Sequence, residues 1–155
     1  MPDITNSISS NFFITLKRDF SNTQFNLKSV NTPNISFGMV EVPWMITKVK
    51  VPGESVTFEP LQFEVILDKE WRVFTELYDD LILGADVETG IIQPSKKIFN
   101  LAIVITSNKN NPIIRFDYFD AFITNFGDIQ LDITSDMLFM PVTAEYKYYK
   151  PTRLN

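Results

Sequence analysis

The feature that most limits what this chain can become is one change of hydrophobic period. From Lys69 to Leu83 (KEWRVFTELYDDLIL) the apolar residues Phe74, Leu77, Tyr78, Leu81 and Ile82 recur every three or four positions, one face of an amphipathic helix. Asp68 stands where an N-cap is expected and Gly84 where a helix ends. On both sides of this segment apolar residues alternate instead, which is the period of a strand. Leu61–Asp68 puts Leu61, Phe63, Val65 and Leu67 on one face, and Ile98–Ser107 does the same with Phe99, Leu101, Ile103 and Ile105. One helix inside a run of strands predicts a mainly β, α+β fold: an antiparallel barrel or sandwich of about eight strands. The 14 phenylalanines agree, because aromatic side chains fit pleated, half-buried surfaces.

The remaining segments fill in this plan. Asn11–Phe20 and Thr23–Asn31 read as a hairpin around Ser21-Asn22. Asn34–Trp44 is an apolar stretch interrupted by Gly38 and Pro43, Met45–Val51 alternates, and Pro52-Gly53-Glu54 reads as a turn. Ile113–Phe126 is a long strand with apolar residues on both faces. After Gly127-Asp128, the residues Ile129, Leu131 and Ile133 oppose Asp128, Gln130 and Asp132, and Leu138–Lys150 alternates as one strand. Residues 1–10 read as a flexible arm, 11–150 as one β domain and 151–155 (PTRLN) as a loose tail. The stretches 34–44 and 113–126 carry more apolar surface than one small core absorbs. Either a partner covers it or the strand is buried on both faces.

Composition then removes functions. With no Cys and no His, thiolate nucleophiles, disulfides, ordinary zinc sites and the commonest general base near neutral pH are all missing. Only five glycines are present, which argues against a phosphate-cradling loop. The net charge of −5 disfavours phosphate neutralisation as a primary role, and Lys48 and Lys50 on one strand face read as a solvated edge. Residues 1–10 lack signal-peptide features, and no apolar run reaches the ~20 residues a membrane span needs. Synthesis in a cytoplasm without membrane association is the expectation.

Carboxylates are the catalytic raw material that remains. Asp79 and Asp80 point about 100° apart on a helix. Asp117 and Asp120 fall on opposite faces of a strand, and Asp128 and Asp132 lie roughly 13 Å apart along one face. Asp86 and Glu88 lack the spacing of a calcium loop. No catalytic, cofactor or metal residues are therefore expected, and the chain is read as not an enzyme. Of the two tryptophans, Trp71 reads as core and Trp44, in a Pro-flanked segment, as an interface anchor.

The order of elements has a counterpart. Asn11-Phe12-Phe13-x-Thr15 leads to a second strand ending near Pro33, then a long hairpin over 34–51. Pro52-Gly53-Glu54-Ser55-Val56-Thr57-Phe58 and Leu61-Gln62-Phe63-Glu64-Val65 run into the helix through Asp68. Phe126-Gly127-Asp128-Ile129-Gln130-Leu131-Asp132 precedes a final strand containing Val142-Thr143-Ala144-Glu145-Tyr146. This arrangement resembles the tail tube proteins of contractile-tailed bacteriophages and their tube-initiating and baseplate-junction relatives. It departs in having Asn125-Phe126 before Gly127, where tube proteins often place a proline.

The resemblance implies a virion structural protein forming stacked six-fold rings, with sheets joined into a barrel around a DNA-conducting lumen and the helix outside. It implies no cofactor, and as partners copies of itself, sheath, baseplate or tail-terminator proteins, and tape-measure protein and DNA passing without specific binding. The stacking hairpin would present Phe37, Met39, Val40 and Trp44, with the 85–97 loop as a further contact. The polar row Asp128, Gln130 and Asp132 would line the lumen as an acidic wall. A specialised ring at a tube end is the alternative, followed by a small β-barrel holding an apolar ligand, and last a carboxylate-dependent hydrolase.

Overall fold

Rows of alternating residues from three strands turn inward and make the core. The computed structural model describes residues 12–15, 27–85, 87–93, 97–107, 109–134 and 136–154. Leu61, Phe63 and Val65 face Ala144, Val142 and Met140 in register, and all six are buried. Phe99, Leu101 and Ile103 add a third row. Each large apolar side chain taken from water contributes roughly 1.5–3 kcal/mol, which is why alternation alone orients these strands.

Nine strands and one helix are described: β1 (Phe12–Thr15), β2 (Leu27–Asn31), β3 (Ile35–Trp44), β4 (Thr47–Phe58), β5 (Leu61–Ile66), α1 (Arg72–Gly84), β6 (Phe99–Thr106), β7 (Pro112–Phe126), β8 (Phe139–Glu145) and β9 (Tyr148–Arg153). Seven form one antiparallel sheet in the order β1-β6-β7-β8-β5-β2, with β9 on β7; β3 and β4 form a separate hairpin. The mainly β fold with one helix is as expected.

β1 and β2 pair with β6 and β5 respectively and stand at opposite ends of the sheet path. The hairpin expected to join them around Ser21-Asn22 lies outside the described residues, as does the expected arm, residues 1–10.

β7 explains the long strand that looked apolar on both faces. Its first part pairs with β6 on one side and β9 on the other, and its last residues pair with β8. Tyr118, Ala121 and Ile123 are buried along it, so this apolar surface is absorbed within the chain.

Several local expectations are corrected. β4 runs straight through Pro52-Gly53-Glu54, and the hairpin turns at Met45-Ile46 instead. The reason is tertiary: Gly53 packs against the Gly38 backbone at a shift of register between Phe37 and Met39. The helix starts at Arg72 rather than Lys69 because Trp71 sits in the left-handed region at φ 56°. Asp68 still caps from one turn back, accepting hydrogen bonds from the Arg72 and Val73 amides at 2.8 and 3.4 Å. Of the predicted stripe Leu77 is fully buried and Phe74 packs on the core, Tyr78 is exposed, and Val73 and Asp80 complete the inner face.

The final strand is two strands. Pairing breaks after Glu145, where the Lys147 amide donates to the Phe119 carbonyl, so Tyr149 rather than Tyr148 turns toward the core. Pro151–Arg153, expected as a loose tail, ends β9 in register with β7, and the Leu154 amide donates to the Ile113 carbonyl. Residues 129–133 form no strand: Gly127 (φ 120°) and Asp128 (φ 59°) end β7 and open a connection to β8. Among the described residues no helix is long and apolar enough to cross a membrane.

Candidate functional site

The features that could act on another molecule are surfaces. The first is the outer face of β2, β5, β8 and the last turnful of β7. At one level across it, Asn31 pairs with Gln62, Gln62 with Thr143, and Thr143 with Asn125, giving an amide or hydroxyl side chain on each strand. One level away, Ser29 pairs with Glu64 and Glu64 with Pro141. A shallow groove here is lined by Ser29, Asn31, Gln62, Glu64 and Thr143. Its charges cancel: Lys28 Nζ lies 3.0 Å from Glu64 Oε2 and sits 3.8 Å over the Phe139 ring. Both lateral edges are open among the described pairings. β2 pairs only with β5, and residues 122–126 of β7 pair only with β8. Unpaired edges of this kind are templates for another chain.

The second surface is the β3–β4 hairpin. Its strands pair along their length from Ile35↔Phe58 to Trp44↔Thr47. Nearly every side chain is exposed, so the hairpin stands off the body. Beyond the bulge its two faces differ. One carries the pairs Trp44/Thr47, Val42/Val49 and Val40/Val51; the other carries Pro43/Lys48, Glu41/Lys50 and Met39/Pro52. Trp44 is 63% exposed, and Met45 and Ile46 at the tip are essentially bare. Tight hairpin turns favour Asn-Gly because a positive φ is needed, yet here Met45 adopts φ 54°. An apolar pair at that position adds exposed apolar surface without favouring the turn.

The root of the hairpin is clamped to the body. The Tyr146 hydroxyl donates to the Glu59 carbonyl at 2.7 Å, and the Tyr149 hydroxyl reaches the Pro33 carbonyl at 3.5 Å. Phe58 meets both tyrosine rings edge-on. Burial first, then the Tyr149 and Glu145 neighbours, pushes the Tyr146 pKa up to about 12. Tyr118 beneath them is raised further, chiefly by burial, and its hydroxyl has no hydrogen-bond partner among the described residues.

The third surface is the 127–138 connection. Leu131 and Ile133 project into solvent, with Met137 and Phe139 about half exposed. Asp132 accepts hydrogen bonds from the Thr134 amide (2.9 Å) and hydroxyl (2.8 Å), and these hold its carboxyl below the usual carboxylate range. The expected polar row Asp128, Gln130 and Asp132 is therefore on a loop at one end of the sheet, not along a strand face.

The sequence-derived interface residues stand together on the hairpin. Val40 and Trp44 share the apolar face, Met39 lies on the charged face, and Phe37 pairs with Val56 below the bulge. Trp71 packs against the core and meets Phe74 edge-on, as its position in the sequence implied. The amide–hydroxyl row was missed; its signal is the polar half of each alternating strand. Asp117 is held by Arg115 at 3.1 Å, and Asp120 lies in a bulge where its amide donates to Asn100. Asp86 is outside the described residues. Among those described, no group of three or more acidic residues could hold a metal ion.

In the 85–97 loop, Val87, Ile91 and Ile92 are exposed, and Ala85 bridges Ile92.

No protein-family model matches the chain. Over 151 residues it is 18% identical to the tail tube terminator protein of Enterobacteria phage T4, covering 91% of this chain and 86% of that protein. Among solved structures, a chain of the anti-feeding prophage baseplate aligns with TM-score 0.72 at 13% identity, covering 96% of both chains. A chain of the same prophage's tube-terminating cap aligns with TM-score 0.71 at 13% identity, covering 99% of this chain and 95% of that one. The fold is thus that of contractile-tail tube and tube-end proteins.

Proposed function

We propose that the chain is a structural, ring-forming component of the inner tube of a contractile tail. The observation that carries this is the pair of edges flanking the β2-β5-β8-β7 face that are unpaired among the described residues. Edge-to-edge pairing of β2 in one copy with the end of β7 in the next extends the sheet, and six copies close it into a barrel without exposed edges. The Asn31, Gln62, Thr143 and Asn125 row then faces the lumen as a belt of uncharged hydrogen-bonding groups, with the Lys28–Glu64 pair beside it. Among its described residues such a wall offers phosphates no unpaired cation, so DNA and an extended tape-measure polypeptide pass without sticking. Glu145, two residues beyond Thr143 on β8, adds a carboxylate to the same face, and Asp128, Gln130 and Asp132 stand at its rim.

The hairpin residues Phe37, Met39, Val40 and Trp44 serve contacts between successive rings, and the 85–97 loop contacts neighbouring rings or the sheath. Sheath, baseplate and terminator proteins are its neighbours in the particle, and the virion is its destination. Electron microscopy of the purified protein tests the reading: six-fold rings support it, and a monomer at every concentration and salt overturns it.

A ring placed at one end of the tube is the second reading. It is favoured by the similarity to a tube terminator along 91% of the chain. Rings that never stack on one another, but cap tubes of another protein, would identify this role.

A further inference from the structure

The two apolar surfaces lie at opposite ends of the four-stranded face. The hairpin leaves from the end marked by Asn31, Leu61 and Ala144, since β2 runs into β3 there and β4 returns to β5. The 127–138 loop joins β7 to β8 at the other end, where Ile66 pairs with Phe139. Ten residues of β3 carry the tip roughly 33 Å from its root at strand rise.

The two surfaces match in chemistry as well as in placement. Near the tip the hairpin has Lys48 and Lys50 beside an apolar face, with Glu41 as the nearby acid, 4.0 Å from Lys48. The 127–138 loop has Asp128, Asp132 and Asp136 among Leu131, Ile133 and Met137, and no basic residue. One surface is apolar and basic, the other apolar and acidic. A surface at one end that complements a different surface at the other makes a head-to-tail contact, which propagates instead of closing.

We infer that the hairpin tip of one copy docks on the 127–138 loop of a second copy in the next ring, with Lys48 and Lys50 meeting Asp132 and Asp136 around an apolar centre. This rests on the ring reading and adds the receiving surface and its polarity. Apolar burial supplies the attraction and the charges set the direction, because two hairpin tips or two loops facing one another place like charges together.

The test uses charge reversal in the full chain. Lys48→Glu with Lys50→Glu should leave rings intact but reduce stacks to single rings in electron micrographs. Asp132→Asn with Asp136→Lys should do the same, the asparagine keeping the Asp132 turn. Combining all four substitutions should restore stacks, which a merely structural role of these residues would not do. Unchanged stacking after the lysine reversal, or a combined variant that stays as single rings, overturns the proposal. Wild-type rings that stack only on a different tube protein overturn the second copy as occupant. Wild-type protein without rings overturns the ring reading itself.

Discussion

Gly53 and Gly38 meet backbone to backbone across the β3–β4 hairpin: a Cβ at Gly53 would fall 2.8 Å from the Gly38 carbonyl oxygen and 2.9 Å from its carbon. A Cβ at Gly38 would instead meet the Ser55 hydroxyl at 2.8 Å, a side-chain atom able to turn away, with the nearest backbone atom, the Ser55 carbonyl oxygen, at 3.3 Å. Gly53→Ala should therefore cost the hairpin about 1–3 kcal/mol and Gly38→Ala distinctly less. Amide hydrogen exchange of residues 49–56 reads the difference. Equal protection in both variants would show that the close approach is not what holds the bulge.

The same contact shows where the sequence was readable and where it was not. Strands β5 and β6 were legible because Leu61/Phe63/Val65 and Phe99/Leu101/Ile103 bury one face, and burial enforces a two-residue period. Pro52-Gly53 looked like a turn because the partner that needs the glycine, Gly38, is supplied by another strand. Ile129, Leu131 and Ile133 alternate but sit in a loop, since no partner strand is paired with them and Asp132 folds back on Thr134. The break between β8 and β9 depends on the Phe119 carbonyl, which no local pattern reveals. Phe37, Met39, Val40 and Trp44 stand exposed on the hairpin, in keeping with the surplus of apolar residues in 34–44. The amide–hydroxyl row leaves no such mark, because polar residues on a strand look alike whatever they face.

The helix start makes a second prediction. Asp68 accepts from both the Arg72 and Val73 amides, so Asp68→Ala should destabilise the fold by about 1 kcal/mol, with Asp68→Asn losing less. Thermal unfolding should register a fall of roughly 2–4 °C for a domain of this size. No change would mean that Trp71, not Asp68, defines the start.

The tyrosine cluster predicts an alkaline limit. Tyr146 is raised from 10.0 to about 12, and Tyr118 is raised further. Folded tyrosines thus keep protons that the unfolded chain releases, so their contribution is fully present below pH 10 and is lost as pH rises through the folded values. Stability should decline from about pH 10 upward, and Tyr118→Phe should flatten that decline. Because the Tyr118 hydroxyl is buried without a partner among the described residues, the same variant at pH 7 should be neutral or stabilised by about 1 kcal/mol. A marked loss at pH 7 would contradict this view of the cluster.

Tyr146→Phe should act differently. It removes the hydrogen bond to the Glu59 carbonyl at the hairpin root, costing about 1 kcal/mol. The loss should appear as faster exchange of the amides of residues 34–36 and 57–59, with the buried β5 and β8 amides unaffected. Uniform loosening of both regions would place Tyr146 in the general core instead of at the hinge of the hairpin.

Cryo-electron microscopy of the assembled wild-type protein tests ring closure most directly. A closed six-fold ring is expected in which β2 of each copy pairs with the 122–126 end of β7 in the next, with Asn31, Gln62, Thr143 and Asn125 facing the lumen. A monomer, or a ring in which those edges stay unpaired and that row faces outward, would contradict it.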